Sequence, residues 1–69
     1  MSSAHYEITV RGRLSVTLAG AFDGLSATAH PAGTVLRGEL DQAALYGVID
    51  RIDSLGLELL DVRRSPAAR

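Results

Sequence analysis

The chain contains no cysteine, no lysine and no tryptophan, and its aromatic residues are two tyrosines and one phenylalanine. Without cysteine, disulfides, thiolate metal sites, cysteine nucleophiles and thiol redox chemistry are excluded. Without lysine, the positive charge rests on seven arginines, set against eight acids for a net charge of −1. The two signs are mixed along the chain, whereas nucleic-acid binders present a basic patch or stripe. No apolar run approaches the ~20 residues that a membrane-spanning helix needs. Met1 to Glu7 has neither a basic start nor an apolar stretch, so no secretory signal is read and a cytoplasmic location is expected.

Sixty-nine residues make one domain. A chain this short buries a modest share of its surface and is usually reinforced by disulfides, a metal or a second subunit. With disulfides excluded, the expectation is a homo-oligomer, a dimer first, or a complex with a partner protein. No nucleic acid, membrane or cofactor is expected.

The pattern along the chain is informative. In residues 5–11, Tyr6, Ile8 and Val10 alternate with His5, Glu7, Thr9 and Arg11, the period of a half-buried strand. Ser15 as cap, followed by Leu18, Ala21, Phe22 and Leu25, predicts a short helix over 15–23, closed by Gly24. Residues 25–40 read as a hairpin around the loop Pro31-Ala32-Gly33. Leu25, Ala27 and Ala29 alternate with Ser26, Thr28 and His30; on the return strand Leu36, Gly38 and Leu40 take one side, and Val35, Arg37 and Glu39 the other. Asp41 to Leu55 is the best-defined element: an Asp41 N-cap, a Leu40–Leu45 staple, an apolar stripe from Ala44 to Leu55, and Gly56 as the stop. In the last strand, 57–63, Leu60 and Val62 are expected to face the helices, and Leu59, Asp61 and Arg63 to face away.

This order predicts an α+β, ferredoxin-like βαββαβ domain: a four-stranded antiparallel sheet in order 4-1-3-2 with two helices on one face. Residues 1–4 are expected to be a flexible N-terminus, 5–64 the domain, and 65–69 a flexible tail.

The candidate chemistry is sparse. His5 and His30, the only histidines, stand on strands that are not neighbours, and a zinc site needs three or four converging ligands. Ser15, Ser26, Ser54 and Ser65 lack a glycine-flanked nucleophile elbow. Asp41 is a cap, and Asp50 and Asp53 lie on an exposed helix face. Arg11-Gly12-Arg13, between a strand and a predicted helix, is placed where an anion can sit on a helix N-terminus. It resembles the anion loop of acylphosphatases in position, but the Gly-Val-Gly-Phe-Arg pattern of that family is absent. An RRM-like sheet would carry aromatics on its open face; Thr9, Arg11, Val35 and Arg37 stand there instead. No catalytic constellation emerges, so an enzyme is not expected. The candidate interaction face is the sheet surface turned away from the helices: Glu7, Thr9, Arg11, Val35, Arg37, Glu39, Leu59, Asp61 and Arg63.

The stretch from Thr34 to Leu60, with its Asp-Gln-Ala-Ala-Leu and Leu-Gly-Leu motifs, and the opening Tyr6-Glu-Ile-Thr-Val-Arg-Gly resemble a family of small stand-alone proteins from actinobacteria and related bacteria. That family has no assigned activity, so the resemblance carries over no catalytic residue. The predicted order also resembles ACT-type regulatory domains, which implies association through sheets or helices and small ligands held at interfaces. The expected function is a small interaction, assembly or regulatory module that self-associates. The alternative is a small-ligand or anion-binding domain with its site at an oligomer interface.

Overall fold

The computed structural model describes residues 3–12, 20, 22 and 24–65. Its elements are β1 (Ala4–Arg11), β2 (Ser26–His30), β3 (Gly33–Leu40), α1 (Gln42–Ser54) and β4 (Glu58–Ser65). The four strands form one sheet in the order β2-β3-β1-β4, every neighbouring pair antiparallel.

The two-helix ferredoxin-like βαββαβ domain is corrected here. Among the described residues there is one helix, and the order is β-β-β-α-β. The helix expected over 15–23 lies outside the described residues except for Gly20 and Phe22, which occupy a turn and a bend. The Leu25 N–H donates to the Phe22 carbonyl at 3.1 Å, a turn contact rather than a step of an α-helical ladder.

Strand β1 is central because alternation gives it a fully apolar side. Ile8 and Val10 are completely buried, and Ile8 lies between Leu36 of β3 and Val62 of β4. The core gathers Ile8, Val10, Phe22, Leu36, Leu40, Leu45 and Ile52 on the helix side of the sheet. Ala4, placed in the N-terminal segment by sequence reasoning, is the first residue of β1 and is buried opposite Leu40.

The helix has the termini its sequence specifies. The Ala44 N–H donates to Asp41 Oδ1 at 2.7 Å, a cap worth roughly 1 kcal/mol. Leu40 and Leu45, which flank the cap as a staple, are both in the core. At the other end Gly56 takes φ +76°, and its N–H donates to the Asp53 carbonyl. The Leu57 N–H donates to the Ile52 carbonyl, completing a Schellman motif. The chain then turns directly into β4.

The β2–β3 hairpin closes through Pro31 and Ala32, with His30 opposite Gly33. Gly33 has φ +154°, and a Cβ there would collide with the Val10 carbonyl. Glycine therefore lets the hairpin end lie against β1.

Candidate interaction surface

The sheet register sets out the face opposite the helix in rows. Reading from β2 to β4, Ser26, Arg37, Glu7 and Arg63 form one row. Thr28, Val35, Thr9 and Asp61 form the next, and His30, Gly33, Arg11 and Glu58 the third. Glu39 stands beside His5 at the far end, with Ser65 beyond it. Eight of the nine residues anticipated for this face are on it.

Leu59 is the exception, and its position is corrected. The β1–β4 register slips between Thr9 and Val10, so Thr9 faces Asp61 while Val10 faces Leu59. One extra residue, Leu60, is accommodated in β4 as a bulge. The bulge turns Leu59 to the helix side, where it lines a groove with Ile52 and Leu57. Leu60 instead borders the shallow depression of the open face with Val35 and Asp61. The expected placements of Leu59 and Leu60 are thus exchanged, because strict alternation holds only on the Asp61 side of the bulge.

The arginines of the open face are each paired with a carboxylate. Arg37 Nε donates to Glu7 Oε2 at 3.1 Å, Arg11 Nε to Glu58 Oε1 at 2.8 Å, and Arg63 Nε to Asp61 Oδ2 at 2.9 Å. Glu58 escaped sequence reasoning: only the bulge brings it opposite Arg11. Val35 is buried among these groups, although it faces away from the helix. The open face is therefore a polar surface of paired arginines and acids about a small apolar floor.

The helix side differs. A groove of about 470 Å³ runs between α1 and β4, lined by Tyr46, Ile49, Ile52, Leu57 and Leu59 with Asp50 and Asp53 at its rim. Tyr46 is 59% exposed and its hydroxyl accepts from Gln42 Nε2 at 3.0 Å. Leu55, Leu59, Leu60 and Val62 are also exposed large apolar side chains. Three of these five belong to β4, the edge strand that separates the groove from the open-face depression.

His5 and His30 are on strands separated by β3, and the His30 ring nitrogen Nδ1 accepts from the Ala32 N–H at 3.0 Å. Among the described residues no three His, Cys, Asp or Glu side chains converge on a common point. No helix among them is long and apolar enough to cross a membrane.

Residues 5–63 match a domain family of unknown function, DUF8691. The chain belongs to that family. The match includes all four strands and the helix, leaving out only Ala4 at the start of β1 and the last two residues of β4. The DUF8691 match carries neither an actinobacterial origin nor a ferredoxin-like order. No curated protein and no solved structure matches the chain.

Proposed function

We propose that this DUF8691 chain is a small non-enzymatic interaction module that self-associates and supplies an assembly or regulatory surface. The observation that supports this reading is β4: an eight-residue edge strand with Leu59, Leu60 and Val62 all exposed, beside an apolar groove. An edge strand offers a row of unpaired backbone donors and acceptors, and apolar side chains on it favour pairing over solvation. A 69-residue chain gains most from such an addition, because its own core is small.

The anion-binding alternative is weakened by the ion pairs. Arg11, Arg37 and Arg63 each face a carboxylate already, so an anion would have to displace it. Sedimentation velocity over the micromolar range tests the reading. A monomer–dimer equilibrium is expected; a single monomeric species at every concentration would overturn it.

A further inference from the structure

We propose that two copies join edge to edge through β4, antiparallel, with the two-fold axis passing at Val62. This deepens the self-association reading and rests on it. The charge sequence of the strand selects the register. Residues directly opposite each other in an antiparallel pair share a face, so a symmetric pairing must centre on one residue. Centred on Asp61, two carboxylates meet; centred on Arg63 or Arg64, two guanidinium groups meet. Like charges placed opposite each other destabilise a pair of strands. Centred on Leu59 or Leu60, the pair has the bulge at its middle, where the strand departs from regular alternation.

Centred on Val62, Asp61 of each copy faces Arg63 of the other, and Val62 meets Val62. The register also continues the pattern already in the sheet. The row Arg37–Glu7–Arg63 alternates in sign and stops on a cation at the open edge. A second copy places the Asp61 carboxylate next in that row. The Arg63–Asp61 pair within one strand, 2.9 Å long and largely exposed, would exchange for two pairs across the seam.

The helix side is accommodated by the same operation. Because paired residues share a face, both α1 helices lie on one side of an eight-stranded sheet. The two grooves between α1 and β4 then flank the seam from either side. Val62, exposed in one chain, becomes central.

Charge reversal tests the register. Asp61→Arg alone, or Arg63→Asp alone, sets two like-charge pairs across the seam, and each is expected to weaken association about tenfold. An equimolar mixture of the two variants restores opposite charges at both pairs and is expected to recover dimers.

Arg63→Asp also places a carboxylate opposite Glu7, so a thermal melt must show that each variant folds. A cysteine scan serves if one does not. The chain has no cysteine, so Val62→Cys supplies a single thiol. Across the axis its Cα would lie ~4.5–5.5 Å from its twin, within disulfide range. Oxidation is expected to give a covalent dimer. Leu59→Cys would hold its two thiols roughly 20 Å apart and remain uncrosslinked.

If the wild type dimerises while the charge reversals leave association intact, or while Leu59→Cys crosslinks and Val62→Cys does not, the β4 seam is wrong and self-association stands. If the folded single variants dissociate but their mixture does not recover, the register is wrong. A wild type that stays monomeric throughout overturns both readings.

Discussion

The two edges of the sheet face solvent in different ways. Strand β2 is five residues long, Ser-Ala-Thr-Ala-His, all exposed, with no large aliphatic side chain and no carboxylate or guanidinium. Strand β4 is eight residues long, exposed over seven of them, and carries three large aliphatic side chains among two acids and two arginines. Small size and small side chains keep β2 an unrewarding template for another strand. Length and apolar area make β4 an attractive one, and its charges restrict which partner and which register it accepts. Exposure alone does not mark an interface. The chemistry along the exposed edge does.

The largest expected effect collapses both edges at once. Ile8→Ala removes a fully buried side chain between Leu36 and Val62, and is expected to cost ~2–5 kcal/mol. For a chain of this size that is a large fraction of the folding free energy, so circular dichroism should show a strongly lowered or lost cooperative melt. A melt unchanged by Ile8→Ala would show that the core is not where it is described.

Gly33→Ala acts where β3 meets the central strand. Its positive φ and the collision with the Val10 carbonyl predict a loss of about 1–3 kcal/mol at the β3–β1 junction, read in a thermal melt. Any dimer that survives folding should keep its dissociation constant within about twofold, since the Val62 end of β4 pairs with β1 away from this junction. The complementary pair is Val62→Lys and Thr28→Lys. The first sets two ammonium groups at the centre of the seam and should weaken association by roughly tenfold or more; the second, on β2, should leave it unchanged. Weakening by Thr28→Lys would reverse the assignment of the edges.

The smallest effect belongs to the open face. Glu7→Gln removes the carboxylate from an Arg37 pair whose side chains are 40% and 36% exposed, and should change stability by about 0–1 kcal/mol. A much larger loss in a thermal melt would mean that the open face contributes more to the fold than its exposure allows.

Much of this was legible in the sequence. Tyr6, Ile8 and Val10 announce β1 by alternation, and Pro31-Ala32-Gly33 announces the hairpin. Asp41, Leu40, Leu45 and Gly56 mark both ends of the helix, because capping is a local chemistry that a few residues specify. What was not legible is non-local. Phe22 reaches the core from a bend, a placement that no neighbouring residue signals. The bulge at Leu60 has no glycine or proline to signal it, and two consecutive leucines satisfy either phase of the alternation. That single inserted residue moves Leu59 off the anticipated face and brings Glu58 to Arg11. It also shifts attention from the open sheet face, where arginines and acids answer each other, to the edge strand beside it.

Backbone hydrogen–deuterium exchange, read strand by strand at low and high protein concentration, tests the contrast between the edges most directly. The account predicts that amides of β4 centred on Val62 gain protection as concentration rises, while those of β2 exchange at the same rate throughout. Protection gained on β2, or on neither strand in a protein that demonstrably dimerises, would contradict it.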